Sequence, residues 1–319
     1  MKPINNKKAI FYTLAVIVFL GVMLIVFYTY KSYSLRDKQE SIFVRINAMN
    51  DFISSFHNDV HRATKISATR AMLSIEDYIS LQSKYFNNIT ELNEFFREVF
   101  YYGTINGTEI ILMNDTSFQD YEKKVSASAR NIGMDFYINV TSISLSQEDP
   151  WNILVVINAS ILLNDSSKLA YWEYNESFKT LVSIEGLRDP LYSVNTNGKI
   201  QNIIRRTNTI FFVMNNNTTL LLDHIYNGFY INSSDAPSFL MRFYNNLSPS
   251  ENGIESLVNI MDLNAQNILI KEANSIVDYK YFYNGVANVC NVQNMPYWFK
   301  LQLTDITKYN VNLLNYTGC

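Results

Sequence analysis

Residues 9–30 read AIFYTLAVIVFLGVMLIVFYTY and contain no charged side chain over 22 consecutive positions. A helix needs about 20 such residues to cross the roughly 30 Å hydrocarbon core of a bilayer. Tyr28 and Tyr30 stand at the far end, where aromatic rings favour the membrane–water interface. A cleaved secretory signal would have an apolar region of about 7–15 residues before a small-x-small cleavage site. This run is longer and KSYS follows it at 31–34, so we expect an uncleaved transmembrane helix.

The helical pattern continues past the membrane. No Gly or Pro occurs between Gly21 and Gly103. Apolar residues recur at alternating spacings of four and three, which is a heptad pattern. They are Ile42, Ile46, Met49, Ile53, Phe56, Val60 and Ala63. We predict one helix over about residues 10–81, close to 105 Å long. This apolar seam can pack against another chain or against the body of its own chain, and the sequence leaves both open.

The rest of the chain predicts an α+β body with a largely antiparallel sheet and packed helices. We expect helices over residues 91–100, with Thr90 as the N-cap, and over 117–131, 219–226 and 236–245. Segments rich in β-branched and aromatic residues predict strands over 134–140, 152–163, 168–184, 276–283 and 310–316. The domain organisation is then a short tail (1–8), the membrane helix (9–30), the amphipathic helix (31–82) and the body (83–319).

Asn-x-Ser/Thr sequons bear on which side of the membrane the body occupies. Basic residues flank the apolar run on both sides, so the positive-inside rule is close to a tie. Twelve sequons all follow the run, whereas the composition by itself would give about six. They begin at Asn88, Asn106, Asn114, Asn139, Asn158, Asn164, Asn175, Asn216, Asn217, Asn232, Asn246 and Asn315. We interpret them as N-glycosylation candidates, with chance formation in an Asn-rich chain as the alternative.

The only two cysteines, Cys290 and Cys319, are disulfide candidates. A bond between them would close a loop of about 30 residues and needs an oxidising compartment. Two free buried thiols are the alternative. With the sequons, this pair favours a cytoplasmic N-terminus and an extracytoplasmic, glycosylated body.

Composition argues against several function classes. The net charge of −3 provides no basic surface for nucleic acid. His57 and His61 are four residues apart, but Asn58 replaces the Glu of a zinc protease and no third ligand is identifiable. His224, the remaining histidine, lies in an apolar segment and is expected to be structural. No nucleophile elbow or phosphate-binding loop occurs, so we expect no enzyme activity, catalytic residue, metal or cofactor.

The arrangement resembles type IV pilins and pilin-like proteins. The shared features are the basic head Lys7-Lys8-Ala9, an apolar helix continuing into an amphipathic one, and a downstream sheet. The resemblance implies peptidase processing between Ala9 and Ile10. Leu14 stands where pilins usually carry an acidic residue, which fits a minor or non-filament member. The body is also similar to uncharacterised archaeal surface proteins, in IEGLRDPL (184–191), GIESLVN (253–259) and DYKYFY (278–283).

These observations predict a single-pass membrane-anchored cell-surface protein, pilin-like, with a structural or adhesive role and no catalysis. Its expected partners are the lipid bilayer and, through the N-terminal helix, further copies or other pilin-like subunits. The alternative hypothesis is an extracytoplasmic ligand-binding subunit of a receptor or sensor complex. The two differ in whether the body assembles or binds a ligand.

Overall fold

One helix, α1 (Lys7–Gln82), runs through the first quarter of the protein in the computed structural model. The structure describes residues 7–283 and 288–319, apart from the side chains of residues 7–10, 34 and 35. Helix α1 has 76 residues, which corresponds to about 114 Å at 1.5 Å per residue. The prediction of one continuous helix through the apolar run and the seam is confirmed. Residues 1–6 of the predicted tail lie outside the described part of the chain.

Two helices and a short hairpin follow. They are α2 (Ile89–Tyr102), β1 (Thr104–Ile105), β2 (Thr108–Glu109), a 3₁₀ turn (Ile111–Met113) and α3 (Phe118–Asn131). The N-cap of α2 is Asn88 and not Thr90 as predicted, because the Asn88 side chain accepts a hydrogen bond from the Glu91 backbone N–H. Ser117 caps α3 in the same way through the backbone N–H of Asp120.

Three long strands form the main sheet: β3 (Met134–Asp149), β4 (Asn152–Asp165) and β5 (Tyr171–Ser183). They pair in the order β3-β4-β5, and both pairings are antiparallel. All three predicted strands are confirmed, but β3 extends past the predicted end at residue 140. A register shift between Val140 and Ser142 lets the strand continue through a serine-rich stretch, where Ile143 and Leu145 still face the core.

The amphipathic part of α1 packs on one face of this sheet. Met49, Phe56 and Val60 are buried, and the Phe56 ring lies 4.9 Å from Phe136 and 5.6 Å from Phe178. The sequence left two partners open for the seam, and the structure packs these seam residues against the same chain. Burying each large apolar side chain contributes about 1.5–3 kcal/mol, so α1 is a major part of the core.

The C-terminal half is built from short elements around a second core. They are α4 (Pro190–Asn195), α5 (Thr219–Tyr226), β6 (Tyr230–Asn232), α6 (Phe239–Arg242), β7 (Ile254–Ser256), α7 (Ile260–Ala265), α8 (Asp278–Phe282), β8 (Cys290–Val292), β9 (Lys300–Leu301), α9 (Leu303–Lys308), a 3₁₀ turn (Val311–Leu313) and β10 (Tyr316–Thr317). Strand β6 pairs with β7, and β8 lies between β10 and β9. The fold is therefore α+β with antiparallel sheets, as predicted.

Three local predictions need correction. The strand predicted over residues 276–283 is largely the helix α8, because Asp278 turns inward to an ionic cluster and a short apolar run does not distinguish strand from helix. Residues 310–316 form mainly a 3₁₀ turn, with only Tyr316 in the short strand β10. The helix predicted over 236–245 is reduced to α6, because Ala236 and Pro237 belong to the preceding turn, where their carbonyls accept backbone N–H groups. The helix over 219–226 is confirmed as α5.

Two phenylalanines on α1 allow a matched test of this packing. Phe56 is 3% exposed and Phe43 is 64% exposed. We expect Phe56→Ala to lower the free energy of unfolding by about 3–5 kcal/mol, because it leaves a cavity against the sheet. Phe43→Ala should stay within about 0.5 kcal/mol of the parent chain. Denaturant unfolding in detergent measures both, and equal losses would contradict this packing.

Candidate functional site

The apolar part of α1 is exposed from Phe11 to Tyr30. Among the described residues, α1 is the one helix long and apolar enough to cross a membrane. The large apolar side chains from Phe11 to Tyr30 face away from the rest of the protein. The first ion pair of α1 with the body is at Arg45, 15 residues past Tyr30, or about 22 Å along the helix axis. A membrane around the apolar run would therefore leave a short helical stalk below the body.

A charged clamp holds the body to the top of this stalk. The Arg45 Nε lies 3.0 Å from the Asp165 carboxylate, which is buried at the end of β4. The other carboxylate oxygen of Asp165 accepts the backbone N–H groups of Ser167 and Leu169 in the β4–β5 turn. Arg45 also donates to the carbonyl of Ile132 at 3.1 Å. This arrangement fixes the end of the sheet against α1.

The face of the sheet that points away from α1 carries four of the predicted glycosylation asparagines. Asn139 on β3 and Asn175 on β5 both pair with Ser160 of β4, one on each side, and Asn158 lies two residues before Ser160 on the same face. Asn164 lies in a further row, one residue before the end of β4. Outward residues alternate with buried ones along each strand, and on β5 this face carries Tyr171, Glu173, Lys179 and Leu181 as well as asparagine and serine.

None of the twelve sequon asparagines is buried. Ten are exposed, and Asn164 and Asn246 are half-buried. The side chain of Asn158 donates to Ser142 at 2.8 Å, and that of Asn246 accepts from Ser248 within its own sequon. Every candidate is accessible at the surface, and glycosylation of each stays a prediction.

The structure describes the predicted cysteine pair but not the side chains of the predicted processing site. Cys290 at the start of β8 and Cys319 at the C-terminus are at disulfide distance, with Cα atoms 4.5 Å apart. This geometry is consistent with the predicted bond. Ala9 and Ile10 lie in the first turns of α1, but their side chains are outside the described part, so the processing site stays a prediction.

The histidines contact the body without forming a metal site. His57 Nε2 is 2.6 Å from a Glu176 carboxylate oxygen, and His61 Nδ1 is 3.0 Å from the Thr180 hydroxyl. Both contacts are to β5, so these two histidines link α1 to that strand. No group of three metal-ligating side chains occurs within residues 7–283 and 288–319. His224 packs among Phe212, Phe229 and Tyr309, and burial lowers its pKa to about 4.

A buried ionic cluster joins the elements of the second core. Arg242 on α6 lies between Asp189, the N-cap of α4, and Asp278 on α8, at 2.5 and 2.7 Å. Arg242 also donates to the carbonyl of Ile254, and Tyr230 donates to Asp189 at 2.8 Å. All three charged side chains are inaccessible to solvent. Burial raises the pKa of Asp278, and the adjacent guanidinium opposes that shift.

Sequence reasoning missed this cluster. Its members are far apart in sequence, and two of them are isolated charges in apolar stretches: Arg242 lies between Met241 and Phe243, and Asp278 follows Ile276 and Val277. An isolated charge in an apolar run is the signal that would have found them. In the turn before α4, Arg188 bonds Glu76 and Asp77 of α1, while Asp189 turns inward.

An open cleft lies where the end of the sheet meets the second core. Its volume is about 640 Å³, and Trp151, Glu185, Arg206, Asn208 and Asn232 are among its lining residues. The Arg206 guanidinium stands 5.3 Å from the centre of the Trp151 ring. An aromatic ring beside planar polar groups is a chemistry that suits a polar organic ligand such as a sugar.

No protein-family model, curated protein or solved structure matches this chain. Its function is therefore argued from its own anchor, surface and body.

The Arg242 cluster should be essential for folding of the second core. Arg242→Met leaves two buried carboxylates without their cation, and we expect a loss of about 3–5 kcal/mol in unfolding free energy. Arg62→Met, on the exposed side of α1, serves as the control and should cost less than about 0.5 kcal/mol. Chemical denaturation measures both variants. A tolerated Arg242→Met would show that the cluster is dispensable.

Glu76 should make stability depend on pH. Burial raises its pKa to about 8, although the Arg188 backbone N–H and guanidinium both oppose this shift. Between about pH 4.5 and 8 the folded chain keeps a proton that the unfolded chain has released, so the free energy of unfolding falls as pH rises. Glu76→Gln should flatten this decline.

Asp77→Asn is the control, because the side chain of Asp77 is largely exposed and its neighbour Glu76 stays intact. Thermal unfolding at several pH values measures the slope. An unchanged slope in Glu76→Gln would exclude Glu76 as the titrating group.

Proposed function

We propose that this protein is a single-pass membrane-anchored cell-surface protein with a structural or adhesive role and no catalysis. The observation that carries the proposal is the double role of α1. Its apolar part is exposed from Phe11 to Tyr30, and its amphipathic part packs in the core of a folded body. A membrane is the environment that covers such an apolar surface at low free-energy cost. The anchor then holds the body at a set distance from the bilayer.

We further propose that the N-terminus is cytoplasmic and the body extracytoplasmic. Three features support this orientation: the sequons all follow the anchor, their asparagines are accessible, and the two cysteines lie at disulfide distance. Cleavage between Ala9 and Ile10 belongs to the same proposal, as does association with pilin-like subunits through α1.

The second candidate function is an extracytoplasmic ligand-binding subunit of a receptor or sensor complex. The open cleft beside Trp151 and Arg206 favours it, because its polar lining can accept hydrogen bonds from a small ligand.

Mass spectrometry of the chain from native membranes tests the orientation. We expect glycopeptides from the outer face of the sheet, including Asn139 and Asn175, and a peptide joining Cys290 to Cys319. An intact mass beginning at Ile10 would establish processing, and a complete N-terminus would leave a plain signal anchor. Asn175→Gln should remove the mass of one glycan.

Protease added to intact cells provides the control, because an outward body is cleaved while a cytoplasmic marker is not. An unmodified chain with two free thiols that resists external protease would contradict the proposed orientation. A purified chain that binds a small ligand and never self-associates would favour the second candidate.

A further inference from the structure

The two outer strands of the main sheet differ in whether hydrogen bonds reach their free edges. Side chains close the edge of β3, where Ser126 donates to the Phe136 carbonyl at 2.9 Å and Leu145 N–H donates to Asn93 at 2.7 Å. Strand β5 has no such cover. Within the described residues, no hydrogen bond reaches the outer edge of Tyr171–Ser183.

This open edge is long and regular. Strand β5 has 13 residues, contains no proline, and pairs with β4 without a register shift. Such an edge presents a row of unpaired N–H and C=O groups that can template another strand. Tyr171 is 70% exposed and Leu181 is 51% exposed, so large apolar side chains lie along it. An edge of this kind is a surface for strand addition.

We propose that β5 pairs antiparallel with β5 of a second copy of this protein, about a two-fold axis at Glu176. In this register Glu173 of each copy stands opposite Lys179 of the other, so two opposite-charge pairs form by symmetry. On the same outer face, Tyr171 stands opposite Leu181. Directly opposed pairs of these types stabilise antiparallel strands by about 0.2–1 kcal/mol each.

Other registers lose this complementarity. Opposed residues must share a face, so the axis can move only from one residue to the next along the strand. Centring it at Asn175 places Glu173 opposite Ser177, and centring it at Ser177 places Glu173 opposite Leu181. A parallel pairing in register places Glu173 opposite its own copy, and a parallel pairing staggered by six residues opposes Glu173 to Lys179 only once. The register at Glu176 alone pairs both charges among these arrangements.

Two neighbouring features bear on this pairing. Glu176 stands opposite its own copy, and this like-charge contact opposes the pairing, although each carboxylate has the His57 ring of its own α1 at 2.6 Å as a partner. Asn175 points out of the outer face, so a glycan there would stand off the sheet and outside the hydrogen-bonding plane of the edge.

The pairing also determines where the two anchors go. His57 contacts Glu176 and His61 contacts Thr180, so β5 and α1 run in the same direction. An antiparallel pair of β5 strands therefore turns the two α1 helices in opposite directions. The two anchors leave from opposite ends, and the contact joins copies in two facing membranes. This inference rests on the proposed membrane anchoring and specifies its adhesive role.

Zero-length carbodiimide cross-linking tests the register. Glu173 and Lys179 of one chain are six residues apart on one strand, or about 20 Å, so they cannot cross-link within a chain. The full chain is prepared in ¹⁴N and ¹⁵N forms, each in separate single-copy nanodiscs, and the two are mixed. We expect a mixed-isotope peptide joining Glu173 to Lys179. Its absence overturns the proposed register.

Charge exchange provides the matched variants. Glu173→Lys and Lys179→Glu should each reduce the cross-linked fraction at least tenfold, and the double exchange should restore it. Asn175→Gln changes the same face between them and should leave cross-linking at the parent level. A double exchange that stays as low as the single variants would overturn the pairing, and circular dichroism shows that each variant is folded.

Electron microscopy of the cross-linked pairs tests the direction of the anchors. Discs at opposite ends of each pair support contact between facing membranes, and two discs on the same side overturn it. Protease accessibility and glycopeptide mass are measured on single copies. A failure of the pairing is therefore distinguishable from a failure of the proposed anchoring.

Discussion

The packing of α1 against the β3-β4-β5 sheet is the constraint on which the rest of the structure depends. The same uninterrupted helix presents apolar side chains on all sides in its first part and buries Met49, Phe56 and Val60 in its second part. No Gly or Pro interrupts it from Gly21 onward, so no flexible linker separates the anchor from the body. The direction in which the anchor leaves the body is therefore set by the core itself.

The ion pairs that involve buried side chains lie where separate elements of the fold meet. Arg45 and the buried Asp165 clamp the end of the sheet to α1, and Arg188 ties the turn after β5 to Glu76 and Asp77 near the end of the helix. Arg242 then links Asp189 to Asp278 inside the second core. Burying an ion pair costs hydration free energy, and only closely placed partners offset that cost. These contacts therefore specify which elements meet. Because so few charges are available, the outer surface is made polar by asparagine and serine.

The two faces and two edges of the main sheet have separate roles. One face is covered by α1, and the other is a solvent-facing surface that carries four candidate glycosylation sites together with Glu173 and Lys179. The edge of β3 is closed by side chains of α2 and α3, whereas the edge of β5 is open. The open edge of β5 can template another strand, whereas side chains cover part of the edge of β3.

The sequence by itself determined the elements whose signal is local. The apolar run and the heptad seam predicted α1 to within a few residues, and alternating β-branched segments predicted β3, β4 and β5. Thr219–Tyr226 was predicted with its observed bounds. These elements are long or strongly patterned, so local periodicity outweighs context. The accessible positions of the four sequon asparagines on this sheet, Asn139, Asn158, Asn164 and Asn175, follow from the same alternation.

Only the tertiary structure decided the partner of the seam, the helical state of Asp278–Phe282 and the cluster around Arg242. Asp278 turns inward because Arg242, 36 residues earlier in the chain, provides its counter-charge. No local pattern encodes a pairing between such distant residues, since its free energy depends on burial that exists only after folding. The sequence likewise does not show that β5 is an edge strand, because this depends on the order of the strands in the folded sheet.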